Sequence, residues 1–150
     1  MNTQQEGEKA PQKSDVALRE EAILSFWQEH DIFNKTLEQN APNGEFIFYD
    51  GPPFATGLPH YGHILAGTIK DAIPRFWTMH GYRVPRKWGW DCHGLPLENL
   101  IEKKLGLATK RDIEEYGVKN FNEAARGAVM EFADDWAKIV PRMGRWADME

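Results

Sequence analysis

Hydrophobic periodicity divides the chain into helical and extended stretches. Ile23, Phe26, Trp27 and His30 follow an i, i+3, i+4, i+7 stripe, with Glu20 and Glu21 early in the run, which predicts an amphipathic helix over about residues 15–30. Its aromatic stripe reads most simply as a docking face. Glu45 to Asp50 is a short apolar and aromatic run between Asn43-Gly44 and Gly51-Pro52-Pro53, as expected of a buried strand. A Gly/Pro loop leads to Pro59, and Ile64, Leu65, Ile69, Ala72, Ile73 and Phe76 then recur at helical spacing over 61–77, with Pro74 expected to kink or end the helix. A second strand is expected around Tyr82–Trp90. The order strand, glycine-rich loop, helix, strand suits a right-handed βαβ crossover in a parallel sheet.

Downstream, Leu97, Leu100, Ile101 and Leu105 mark a helix that starts after Pro96 and stops at Gly106. Thr109 and Asp112 stand in a capping-box relation at the start of a short helix to Tyr116, with Gly117 as its stop. Phe121, Ala125, Val129, Phe132, Trp136 and Ile139 step by 4, 4, 3, 4 and 3 residues, predicting one long amphipathic helix closed by Pro141. Residues 1–14 carry no periodic apolar positions and read as a disordered tail. No internal repeat or low-complexity tract is visible.

Composition narrows the class. The chain has 150 residues, 41% hydrophobic and 27% charged, as in soluble globular domains. Its apolar runs fall far short of the roughly 20 residues that span a bilayer, and the N-terminus has neither a basic region nor an apolar one of the secretory kind, so a cytoplasmic protein without membrane association is expected. The single cysteine, Cys92, can form neither an internal disulfide nor a multi-thiolate zinc site. A net charge of −5 argues against a free-standing module that grips nucleic acid through a basic face. The middle third, residues 45–100, is neutral, and from Pro42 to Pro96 the chain concentrates 8 of its 13 glycines, 7 of its 9 prolines and 4 of its 5 histidines. Backbone-shaping residues and imidazoles thus share one stretch.

Within it, Gly51 to His63 follows a predicted strand and opens a predicted helix, the place where a doubly wound sheet presents helix N–H groups to an anion. His60 and His63, three apart, share a helix face near its positive end and can donate hydrogen bonds to a phosphate whose charge grows in a transition state. The same pair also reads as two surface histidines or one satisfied core histidine. The His-Glu-x-x-His of a zinc protease is absent. Gly62 lets a flat base or ribose approach the backbone. Asp91, at the end of the second predicted strand, faces the same crevice and could hold a substrate ammonium or cap the following helix. Cys92-His93 reads as packing or helix-start chemistry. Lys70, Arg75, Arg83, Arg86 and Lys87 form a local basic cluster, which suits RNA less well than a solvated helix face and strand edge.

Together these residues resemble class I aminoacyl-tRNA synthetases. His60-Tyr61-Gly62-His63, preceded by Pro-Pro-Phe-Ala-Thr-Gly-Leu-Pro, is similar to the family's first signature, with Tyr61 in place of the usual aliphatic residue. Gly89-Trp-Asp-Cys-His-Gly-Leu-Pro-Leu-Glu98 resembles the block of the isoleucine branch, and Glu21 to Phe33 the family's N-terminal helix, so the likeness covers roughly residues 15–148. The resemblance implies an α/β fold: a Rossmann-like catalytic domain with a parallel sheet, preceded by an amphipathic helix and arm over 15–40. Residues 41–150 would be the first half of the nucleotide-binding domain, ending before the editing insertion. It implies an aminoacyl-tRNA ligase that converts L-isoleucine and ATP to the adenylate and charges tRNA(Ile). His60 and His63 would stabilise the α-phosphate, Pro53, Phe54 and Gly62 would shape the adenosine side, Gly51 and Pro52 would touch the amino acid, and Asp91 would bind its ammonium. Mg2+ would accompany ATP, no metal would be held by this segment, and zinc would belong only to parts outside it. The full-length enzyme would be monomeric.

The family's second signature, Lys-Met-Ser-Lys-Ser, does not occur in the 150 residues. This predicts a segment inactive by itself. The alternatives are a non-catalytic paralogue that binds nucleotide or partners, and a synthetase for valine or leucine.

Overall fold

The computed structural model describes residues 12–149, so most of the expected N-terminal tail lies outside the described residues. Seven helices are present among them: α1 (Asp15–Glu29), α2 (Ile32–Glu38), α3 (Tyr61–Met79), α4 (Leu95–Leu105), α5 (Lys110–Tyr116), α6 (Val118–Ala128) and α7 (Ala133–Arg142). Helix α1 begins where the stripe predicts, its first turn closed by the Ser14 hydroxyl accepting from the Ala17 N–H at 3.2 Å. Its docking is partial. Trp27 meets Trp146 edge-on at 5.1 Å, while Ile23 and Phe26 stay about half exposed. Helix α4 ends at Gly106, whose φ of 69° a side chain would resist, and α5 carries the Thr109–Asp112 capping box. Backbone N–H groups of Ala108 and Thr109 and the Thr109 hydroxyl hold the Asp112 carboxyl below its ordinary pKa.

Two helical expectations need correction. The long C-terminal helix is two helices, because the chain turns at 129–132 and the Phe132 N–H leaves the helical ladder for the Ala55 carbonyl at 3.3 Å. Pro74 does not end its helix; α3 runs through it to Met79, with the Thr78 hydroxyl donating back to the Pro74 carbonyl at 2.8 Å.

The expected strands are not formed among the described residues. The two segments meet through one parallel bridge, Glu45 with Arg83, and the second segment is bridged in parallel to the C-terminal stretch, Lys87 with Asp148. The reason is local. In the first bridge Arg83 donates to Gly44 O and accepts from Phe46 N, both at 2.9 Å. A parallel ladder then needs the N–H of residue 85, two positions on, and Pro85 has none. In the second, Asp148 donates to Arg86 O and accepts from Trp88 N, but the ladder stops upstream because the Trp146 N–H goes to Asp71 Oδ1 at 3.0 Å. The segment 83–88 thus lies between 44–46 and 148, with α3 packed on it. Phe46 stacks on Trp77 at 4.8 Å, and Arg86, buried beneath the helix, donates to the Thr78 hydroxyl at 2.6 Å. Burial lowers the Arg86 guanidinium to about 10, with Asp71 raising it and Arg75 lowering it.

Apolar burial is divided between two clusters. Trp88, Trp136 and Val140 form one, against Trp90 and Phe132; Leu97, Ile101 and Phe121 form the other, where α4, α5 and α6 meet. The first lies directly under the Gly/Pro loop.

Candidate active site

The loop from Gly51 to Pro59 has three prolines and makes no ladder of its own, so its shape is set by groups that bind it from outside. It delivers the chain to His60, the N-cap of α3. Here the capping box is made by two imidazoles: His60 Nδ1 accepts from the Gly62 N–H at 3.1 Å, and His63 Nδ1 accepts from the His60 N–H at 3.2 Å. An accepting Nδ1 carries no proton, so both neutral rings hold theirs on Nε2 and keep that N–H for an outside partner. The rings lie 3.9 Å apart. Gly62 is constrained by the same arrangement, since a Cβ there would stand 2.9 Å from His60 Cε1.

His63 is half-buried, its ring edge-on to Trp136 at 5.0 Å. Burial, and then the nearby His60 and Lys70, lower its pKa below the usual 6.5 and keep it neutral. The helix N-terminus therefore offers an anion a neutral donor at His63.

A cleft of about 260 Å³ opens beside this helix. Of the eight predicted site residues, Gly51, Pro52, Pro53, Phe54 and His63 line it, while His60 and Gly62 stand exposed at the adjacent helix end. Asp91 does not line it. It is brought alongside by its own N–H, which donates to the Pro53 carbonyl at 2.8 Å. Its carboxylate accepts from the His93 N–H at 3.4 Å and does not cap α4, whose N-cap is Gly94 at φ 97° with no side-chain bond. Cys92 is half-buried, its Sγ 3.7 Å from the Trp90 carbonyl. Among the described residues no group of three or more His, Cys, Asp or Glu could hold a metal ion.

Four further residues belong to this site. Lys70 and Arg145 line the cleft floor and both pair with Asp50, Lys70 at 2.6 Å; Trp136 walls the cleft and donates its indole N–H to the Gly57 carbonyl at 2.8 Å. Lys70 was within reach of sequence reasoning, since it sits seven residues after His63 on the same helical face. Asp50, Arg145 and Trp136 are assembled from distant parts of the chain and carry no local signal. The five basic residues of the middle third form no open cationic face: Arg86 is buried, and Lys70, Arg75, Arg83 and Lys87 pair with Asp50, Asp71, Glu45 and Asp148.

Residues 22–150 match the family described as tRNA synthetases class I (I, L, M and V). The chain is 55% identical over 138 residues to a protein named isoleucine–tRNA ligase from Treponema denticola, covering 92% of this chain and 12% of that protein. It is 56% identical over 148 residues to one of the same name from Chlamydia caviae, covering 99% and 14%, and 53% identical over 137 residues to one from Ehrlichia ruminantium, covering 91% and 12%. The chain thus spans about an eighth of the length of these relatives.

Proposed function

The chain belongs to the class I tRNA synthetases of the isoleucine, leucine, methionine and valine group, and on that premise we propose that it supplies the substrate-activating site of an isoleucine–tRNA ligase acting in the cytoplasm. Residues 41–150 contribute to its Rossmann-like nucleotide-binding domain, with 15–40 as an arm. The two parallel bridges on either side of segment 83–88 support a parallel sheet there.

In the activation step a carboxylate oxygen of L-isoleucine attacks the α-phosphorus of ATP, the bond to the β-phosphate oxygen breaks, and pyrophosphate leaves. His60 and His63 aim two Nε2–H donors from a helix N-terminus at the α-phosphate, where they bind charge that develops in the transition state. Gly51 and Pro52 bound the amino-acid side, Pro53, Phe54 and Gly62 the adenosine side, and Asp91 binds the ammonium by a charge-assisted hydrogen bond. The terminal ribose hydroxyl of tRNA(Ile) then attacks the acyl carbon and AMP departs. Mg2+, which commonly binds through phosphates and water rather than an all-protein cage, would accompany ATP and neutralise phosphate charge.

The observation that carries this reading is the imidazole capping box, which fixes two neutral donors where an anion would dock. The test is pyrophosphate exchange into ATP by the full-length protein with each of the twenty amino acids. Isoleucine is expected to stimulate exchange most. Stimulation by valine or leucine but not isoleucine overturns the specificity, and none by any amino acid overturns the activity.

A further inference from the structure

Four alternate carbonyls of the Gly/Pro loop are each held by a donor from elsewhere in the chain, two of them from the start of α7. Gly51 O accepts from Lys70 Nζ at 2.7 Å, Pro53 O from the Asp91 N–H at 2.8 Å, Ala55 O from the Phe132 N–H at 3.3 Å, and Gly57 O from the Trp136 indole at 2.8 Å. The two central donors are backbone and cannot be removed by changing a side chain. The two outer ones are side chains, and they hold opposite ends of the loop. Lys70 is itself fixed by Asp50, whose second oxygen pairs with Arg145, so its half-buried ammonium bridges a carboxylate and a carbonyl. Trp136 holds the end that runs into His60, and its ring meets His63.

We propose that Lys70 and Trp136 are positioning residues that set the two ends of the loop independently, Lys70 the amino-acid end at Gly51-Pro52 and Trp136 the nucleotide end ahead of His60. Neither touches the reacting atoms. The inference rests on the functional reading above for which ligand each end serves, though not for the existence of the clamp. Its consequence is a division of kinetic effects that a merely structural role would not produce: loosening one end raises KM for one substrate and spares the other.

The variants are Lys70→Met, which keeps length and loses the donors, Lys70→Arg, which can still reach both Gly51 O and Asp50, and Trp136→Phe, which keeps an aromatic ring and loses the N–H. In pyrophosphate exchange with the full-length protein, Lys70→Met is expected to raise KM for isoleucine about ten-fold, with kcat and KM for ATP within about two-fold, and Lys70→Arg to recover most of the loss. Trp136→Phe is expected to raise KM for ATP several-fold while sparing KM for isoleucine. Equal changes in both substrates for either variant, or none, overturn the proposal. Amide hydrogen exchange over residues 46–58, read without substrates, separates the two claims. If the wild-type protein activates no amino acid, the functional reading falls, and the clamp stands only if Lys70→Met speeds exchange there while residues 118–139 are unchanged.

Discussion

His60 and His63 show how one local motif can do two jobs. Each Nδ1 satisfies an N–H that the start of α3 would otherwise leave unpaired, and in doing so fixes the tautomer that leaves Nε2–H to donate. Protonating His63 would destroy the acceptor, which agrees with the direction in which burial moves its pKa. Because the folded value lies below the unfolded 6.5, His63 contributes stability that is fully present above pH 6.5 and is lost as pH falls through the lowered value. An NMR titration of the His63 Cε1–H is therefore expected to show a midpoint below 6.5; a midpoint at or above it contradicts the buried, accepting ring. The spacing of these histidines and their place after a Gly/Pro loop are visible in the sequence. Their mutual capping is not, because an imidazole is not an ordinary N-cap residue and only its ring geometry shows what it accepts.

At the scale of elements, helices were legible where apolar periodicity coincided with a stop or start residue, as at Gly106 and Thr109. Periodicity alone misled between Phe121 and Ile139. The stripe continues across the turn at 129–132 although α6 buries Phe121 in one apolar cluster and α7 buries Trp136 in the other, and nothing in it reveals that the Phe132 N–H is used by Ala55. Helix α2, seven residues long, was too short for a periodic signal. The two predicted strands are not formed among the described residues; each segment keeps only isolated parallel bridges, because pairing depends on individual donors. Pro85→Val would supply the missing N–H opposite Phe46 O and lengthen the parallel contact. One new hydrogen bond is worth about 1 kcal/mol, similar to the entropy advantage that proline gives up, so stability should change little. The readout is a protected amide at position 85; an amide that exchanges freely would show that something other than Pro85 ends the ladder.

For the whole molecule, the cleft joins groups that the sequence keeps far apart: Asp50 with Arg145, Gly57 with Trp136, Pro53 with Asp91. Motif residues could be named from the sequence because their spacing is local, whereas most of the residues that hold them, Asp50, Arg145 and Trp136, could not, because long-range contacts leave no periodic trace. The proposed division of labour across this cleft is its most exposed claim. Donors that strengthen only in the transition state should affect rate, and a carboxylate that binds the ammonium should affect substrate affinity. The measurement that tests this most directly is isoleucine-dependent pyrophosphate exchange by the full-length protein carrying His63→Ala or Asp91→Ala. His63→Ala should lower kcat by about 10²-fold with KM for isoleucine within about two-fold, and Asp91→Ala should raise KM for isoleucine by about ten-fold or more. Unchanged kcat in His63→Ala, or the same loss of isoleucine affinity in both variants, would contradict the account.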